Sequence, residues 1–314
     1  MTMVDRPEPP PIVCVVGPTG TGKNRLALHL AQSLDIAIVN ADSRQVYRDF
    51  PVVTAQPDAQ EQSVCPHYLY GFLPTSDKVD AGSFVRMARE VIAEVLDNGR
   101  LPVLVGGTGL YLRALVHGLA PTPPIPESIR KKVASVVRHR GRQWAHRVLS
   151  RLDPEWAAKV HPNDRQRVTR GLEVRLATGT PLSQWHRQQT RTPRYNALTL
   201  GLDTDLAALT PRLESRIRRM LDAGAEDEAH RAWARCPDPD APGWTGIGCA
   251  ELLAMIRGQL SREEACRLWL QNTRAYAKRQ MTWFRKESEV FWVQPDARQW
   301  PLELVSDWLQ SARG

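Results

Sequence analysis

The chain has 314 residues, 42% hydrophobic and 24% charged. That length suits two domains, or one domain with an insertion, and that composition excludes global disorder. Lys and Arg number 42 against 34 Asp and Glu, a net charge of +8, which favours a polyanionic partner without choosing among nucleic acid, a phosphorylated ligand and a membrane surface.

No apolar run approaches the ~18 residues of a transmembrane helix. The Pro-rich residues 1–11 lack the apolar centre of a signal peptide and read as a flexible tail. Five scattered cysteines (Cys14, Cys65, Cys236, Cys249, Cys266) form no CxxC pair. Reduced cytoplasmic thiols are expected, not a disulfide scaffold or a zinc finger.

Ile12–Val16 is a β-branched apolar run ending at Gly17-Pro18, and a helical pattern starts near Lys23. This is strand, glycine loop, helix. A second strand follows at Ile36–Asn40. Residues 82–97 carry a helical apolar stripe that stops at Asn98-Gly99, and Leu101–Val105 is a third buried strand before Gly106-Gly107-Thr108. Alternating strands and helices predict a parallel sheet flanked by helices, with ligands at the carboxyl ends of the strands.

Residues 120–126 (APTPPIP) form a Pro-rich linker, after which residues 127–194 read as helices and loops without a strand. This segment holds sixteen Lys and Arg against five Asp and Glu, a local charge of +11 that leaves −3 for the rest of the chain. A solvated helical face would explain an ordinary charge run. An excess this concentrated favours a polyanion-binding lobe. A returning strand is expected at residues 198–202, a helix from Pro211 to a stop at Gly224, a long helix at 262–286 and a last short strand at Val290–Val293. Trp269, Tyr276 and Trp283 recur every seven residues on one face of the long helix, a core stripe. Arg274, Lys278 and Arg285 lie on another side, free to face a ligand.

Three motifs carry chemistry. Gly17-Pro18-Thr19-Gly20-Thr21-Gly22-Lys23 fits GxxxxGK, whose backbone N–H groups converge on phosphate oxygens while the lysine adds charge. The next residue is Asn24, where the pattern has a magnesium-ligating Ser or Thr. Asn40-Ala41-Asp42-Ser43-Arg44-Gln45-Val46-Tyr47 puts a carboxylate, a hydroxyl and an amide at the end of the second strand. On composition alone Asp42 is better read as the N-cap of a short helix. Gly106-Gly107-Thr108-Gly109-Leu110-Tyr111 allows close backbone approach to a ligand, or makes an ordinary strand-to-helix turn.

Taken together, GPTGTGK (17–23), ADSRQVY (41–47), GGTGLY (106–111), HPNDRQRVTRGLEV (161–174) and TRAYAKRQMTWFR (273–285) resemble the tRNA dimethylallyltransferases, from about Ile12 to Val293. The resemblance implies an α/β fold, with a P-loop parallel sheet flanked by helices and an inserted all-helical domain. The catalytic core spans residues 12–115 and 198–295, a helical tRNA-binding insertion 116–197, and a C-terminal tail 296–314. It further implies transfer of the dimethylallyl group of dimethylallyl diphosphate to N6 of the adenine 3′ of the anticodon. Gly17 to Lys23, with Asn24, would bind the diphosphate, and Asn24 would stand at the Mg²⁺ position. Asp42 would be the general base, with Thr108 and Arg216 beside the reacting groups. Asp42, Ser43, Arg44, Gln45 and Thr108 would contact the target nucleotide. Arg130, Gln166, Arg167, Val168, Thr169 and Arg170 would touch the anticodon stem-loop.

The family's Ile-Gly-Tyr-Lys-Glu stretch appears here as Ile247-Gly248-Cys249-Ala250-Glu251, and the zinc-finger extension of eukaryotic members is not expected. The expected protein is a bacterial-type cytoplasmic monomer that binds no membrane. An adenylate isopentenyltransferase would share the phosphate loop but has no use for the basic insertion. A phosphate-loop kinase lacks support from any adenine-binding or lid motif, and a non-catalytic RNA-binding module would show no prenyl transfer.

Overall fold

The computed structural model describes residues 8–189, 193–295 and 302–312. Six strands, β1 (Pro11–Val16), β2 (Ile36–Asn40), β3 (His67–Tyr68), β4 (Leu101–Val105), β5 (Asn196–Leu202) and β6 (Val290–Val293), form one sheet in the order β3-β2-β4-β1-β5-β6. Every neighbouring pair is parallel. β2 and β4 are buried at every position, and β1 at all but its first. That is why they read as continuous apolar runs and not as alternating ones.

The helices in the first part of the chain are α1 (Lys23–Ala31), α2 (Pro51–Thr54), α3 (Ala59–Val64), α4 (Ala81–Asp97) and α5 (Gly109–His117). Next come α6 (Glu127–Arg140), α7 (Arg142–Leu152), α8 (Pro154–Ala158), α9 (Arg165–Thr178) and α10 (Leu182–Arg187). The last are α11 (Leu206–Asp222), α12 (Ala225–Arg235), α13 (Cys249–Ile256), α14 (Arg262–Phe284) and α15 (Leu302–Ser311).

By contact density the chain divides into residues 1–116 with 193–314, and residues 117–192. In the first unit, alternate strand residues serve opposite faces of the sheet. Cys14, Val16, Val39 and Leu104 pack with α4, α5 and Phe284. Val13, Val15, Ile38, Val103 and Val105 pack with α1 and with Val305 and Leu309 of α15. A further apolar cluster joins Phe50, Val53 and Trp244 to α11, α12 and α13, with Trp269 of α14. The second unit is a small helical bundle with its own core, formed by Val133, Val137, Leu149, Val168 and Leu172.

Several expectations need correction. Within the C-terminal stretch 296–314, α15 packs on the sheet with Val305 fully buried; its residues are too few for the pattern to stand out. The helix expected from Pro211 begins at Leu206, because the Asp205 side chain accepts from the Ala208 N–H at 2.7 Å and caps it there. Pro211 therefore lies inside the helix. Residues 193–197 belong with the sheet, where Tyr195 is buried. α12 and α13 were not predicted. The tail expected at residues 1–11 lies partly outside the described residues, and Pro11 already belongs to β1.

Candidate active site

β1 and β2 flank β4 in the sheet, so the loops that leave the carboxyl ends of these three strands converge. The loop after β1 is the phosphate loop. Gly17, Gly20 and Gly22 have φ of 140°, 85° and 90°, a region that L side chains rarely enter. Lys23, the first residue of α1, folds back so that Nζ donates to the carbonyls of Gly17 (3.1 Å) and Pro18 (3.0 Å). Thr21 is buried and its hydroxyl donates to the Pro18 carbonyl at 2.9 Å. Its side chain staples the loop, and only its backbone is left for an anion. Thr19, Gly20, Gly22, Lys23 and Asn24 line a cleft of about 390 Å³.

The loop after β2 brings Asp42 to the same cleft. Asn40 builds this corner: its Oδ1 accepts from the Asp42 N–H at 2.8 Å and its Nδ2 donates to the carbonyls of Asp42 and Leu69. Asp42 Oδ1 accepts from the Arg44 N–H at 2.8 Å. No helix follows, so Asp42 fixes a turn and caps nothing. Its Oδ2 takes no hydrogen bond from a described residue. Ser43, Arg44 and Gln45 also line the cleft, but their side chains are engaged in the fold, Ser43 Oγ accepting from Thr108 Oγ1 at 3.3 Å. The Arg44 guanidinium donates to the carbonyls of Pro242 (3.2 Å) and Gly243 (2.7 Å), and Gln45 donates to those of Thr54 and Ala55.

The loop after β4 supplies Thr108. Its Oγ1 accepts from the Ser43 N–H at 3.0 Å. The two glycines before it are required by contact. A Cβ on Gly106 would lie 2.2 Å from the Ala41 carbonyl, and one on Gly107 would lie 1.9 Å from Gln280 Nε2.

Arg216 comes from α11 and lines the cleft. Burial disfavours its charge and that of Lys23. The Lys23 ammonium is pushed down to about 8 by burial, with Arg216 adding repulsion and Asp42 countering it. Arg216 is likewise lowered by burial, and Asp42 again opposes the shift. One carboxylate thus faces two poorly solvated cations, a field of net positive charge at the mouth of the phosphate loop. Such a site accepts a polyanion readily.

The residues expected for a tRNA contact in the second unit behave unevenly. Gln166 and Arg167 are exposed, and Arg167 lies over the Trp156 ring, 5.5 Å from its centroid. Val168 is buried in the bundle core, so its side chain cannot touch a ligand. Arg170 is half-buried and donates to Thr122 Oγ1. Arg130 Nε and Thr169 Oγ1 are buried without a hydrogen-bond partner. Just past the end of α14, Arg285 pairs with Asp203 at 3.0 Å and is not free.

The seven-residue aromatic stripe is core only in part. Trp269 and Tyr276 line the cleft, as does Arg279, which sequence reasoning missed. Gln280, also missed, is buried and bridges two loops, and the TRAYAKRQMTWFR match was its only signal. Cys249 and Glu251 of the altered stretch are buried. Glu251 accepts from the Gly248 N–H and from Asn272, while Cys249 fills a core position, its thiol pushed up to about 12 by burial.

These features define a phosphate-loop α/β protein whose cleft joins an anion cradle to a carboxylate. The IPP transferase family model matches residues 45–287. The chain is 49% identical over 299 residues to the tRNA dimethylallyltransferase of Maridesulfovibrio salexigens, covering 95% of this chain and 97% of that one. It is 54% identical to the enzyme of the same name from Oleidesulfovibrio alaskensis, covering 90% and 93%. The solved tRNA isopentenylpyrophosphate transferase of Bacillus halodurans aligns with a TM-score of 0.70 at 33% identity over 96% of both chains. A eukaryotic dimethylallyltransferase acting on tRNA aligns with a TM-score of 0.82 at 27% identity, over 96% of this chain and 80% of that one. The chain belongs to the IPP transferase family.

Proposed function

We propose that this protein transfers the dimethylallyl group of dimethylallyl diphosphate to N6 of the adenine 3′-adjacent to the anticodon in tRNA. The observation that carries the reading is the joint presence of Lys23, Arg216 and Asp42 in one cleft at the mouth of the phosphate loop. The names of the curated relatives support it.

The adenine amine is a poor nucleophile, its lone pair being delocalised into the ring. As the N6–C bond forms and the C–O bond to the diphosphate breaks, Asp42 takes the departing N6 proton. Ser43, Thr108 and Tyr276 hold the purine beside it. The leaving diphosphate gains negative charge, which the loop N–H groups, Lys23 and Arg216 neutralise. The apolar lining from Val53, Ile217 and Trp269 keeps water from the allylic carbon.

A divalent cation fits this site. Asn24 lines the cleft and its Oδ1 is buried with no hydrogen-bond partner, a hard oxygen suited to Mg²⁺. No group of three or more His, Cys, Asp and Glu gathers among the described residues, so phosphate oxygens and water would supply most of the shell. Magnesium bound there would add positive charge beside the leaving group.

The exposed arginines of the helical second unit would grip the anticodon stem by its phosphates, and an adenine in a single-stranded loop is the cheapest to unstack. Among the described residues no helix is long and apolar enough to cross a membrane. A cytoplasmic monomer suits an enzyme whose partners are tRNA and a soluble diphosphate. Supplying dimethylallyl diphosphate with either unmodified tRNA or AMP tests the reading: prenylated adenosine must form in the tRNA and not from AMP.

A further inference from the structure

We propose that Glu61 is a positioning residue that sets which face of the Asn24 amide meets the diphosphate-bound cation. The proposal rests on the reading of the cleft as a diphosphate site. Asn24 Nδ2 donates to Glu61 Oε1 at 2.7 Å. A carboxylate only accepts hydrogen bonds, so the NH₂ branch of the amide must turn to Glu61 and the carbonyl branch must turn away. That carbonyl oxygen is the buried, unpartnered Oδ1.

A diphosphate brings no donor. Beside it, a bare carbonyl oxygen is repulsive unless a cation or a bound water lies between them. The opposite orientation, with NH₂ toward the diphosphate, would give a direct hydrogen bond but no metal ligand. Glu61 forbids that orientation.

Glu61 is itself held. It occupies the third position of α3, where its Oε2 accepts from the Asp58 N–H at 3.2 Å while its own N–H donates to Asp58 Oδ1 at 2.8 Å. This capping box fixes the carboxylate with one oxygen left for Asn24. The device answers a specific need. A Ser or Thr hydroxyl at this position donates and accepts and needs no external orientation, whereas an amide has two unlike faces and does.

Glu61→Gln tests the proposal without dismantling α3, because Gln serves equally in a capping box. Its NH₂ can donate to Asn24 Oδ1, so the Asn24 amide is free to turn over. The readout is calorimetric binding of a non-reactive dimethylallyl thiodiphosphate across a magnesium series, without tRNA. Glu61→Gln is expected to raise the half-saturating magnesium roughly 10-fold, the scale for residues that orient a metal ligand, with affinity recovered at high magnesium. Asn24→Ala should show a similar shift, and adding Glu61→Gln to it should change nothing further. If Asn24→Ala shifts the titration and Glu61→Gln does not, the positioning role is wrong and the cleft reading stands. If neither shifts it, Asn24 holds no cation and the proposal falls. Equal weakening at every magnesium concentration would make Glu61 a tie between α1 and α3 only, and overturn it too. Failure of the unaltered protein to bind the analogue would instead sink the proposed function.

Discussion

Gln280 and Thr19, 261 residues apart in the chain, meet through one hydrogen bond: Gln280 Oε1 accepts from the Thr19 N–H at 2.9 Å. The same amide donates from Nε2 to the Gly107 carbonyl at 2.9 Å. One buried side chain from α14 therefore fixes the loop after β1 against the loop after β4. Gln280→Ala leaves both backbone groups unpaired in a buried setting, at a cost of roughly 1–3 kcal/mol. A lower thermal midpoint together with a raised KM for the prenyl diphosphate is expected. A variant with unchanged KM would show that the bridge does not shape the cradle.

Asp42→Asn should preserve the turn, because an Asn Oδ1 can still accept from the Arg44 N–H. It removes the base. Single-turnover prenyl transfer should fall roughly 10²-fold or more while tRNA binding stays near that of the unaltered protein. A rate near normal would leave Asp42 with the turn as its only role.

Lys23 gives a pH prediction. Its ammonium is lowered by burial to about 8 from the usual 10.5, so free enzyme loses this charge as pH rises through about 8. Affinity for the diphosphate should decline above that pH, and binding there should take up a proton, because the anion restores the charged form. Calorimetry at pH 8.5 in buffers of differing ionisation enthalpy measures this uptake. Between pH 8 and 10.5 the unfolded chain holds the proton that the folded chain lacks, so Lys23 makes stability rise with pH in that window. No proton uptake at pH 8.5 would contradict the burial account.

How much of this was legible beforehand depended on the kind of signal. β1, β2 and β4 read clearly because a central parallel strand is apolar on both faces. The glycines of the phosphate loop read clearly because positive φ leaves few other choices. α12 and α13 did not, because their burial comes from packing among helices distant in sequence, and α15 did not, because the few residues it packs on the sheet give too short a pattern. The engagement of Arg44 with the carbonyls of Pro242 and Gly243, and that of Asn24 with Glu61, was invisible for the same reason. Val168 shows the converse: a motif match marked it for tRNA, yet it lies on the inner face of α9.

Gly109→Ala probes the packing behind Thr108. A Cβ there would lie 2.0 Å from Trp283 Nε1, so α14 or the loop must move. Overpacking of this kind typically costs about 1–3 kcal/mol. A drop in thermal midpoint should accompany a lower turnover rate. An unchanged midpoint would mean that Trp283 yields freely.

The basic second unit is tested by charge reversal at exposed positions. Arg165→Glu with Arg167→Glu should weaken tRNA binding and flatten its salt dependence by about one unit of slope per lost phosphate contact, while leaving affinity for the prenyl diphosphate unchanged. Equal loss of both affinities would assign these arginines to the fold.

The central claim is that the cleft joins a diphosphate to an adenine of tRNA, and one measurement meets it directly. The protein is incubated with dimethylallyl diphosphate, magnesium and unmodified tRNA, and the digested nucleosides are weighed by mass spectrometry. The account predicts adenosine heavier by one C₅H₈ unit, confined to the position 3′ of the anticodon and absent with Asp42→Asn. Unmodified adenosine throughout, or prenylation of AMP in place of tRNA, would contradict it.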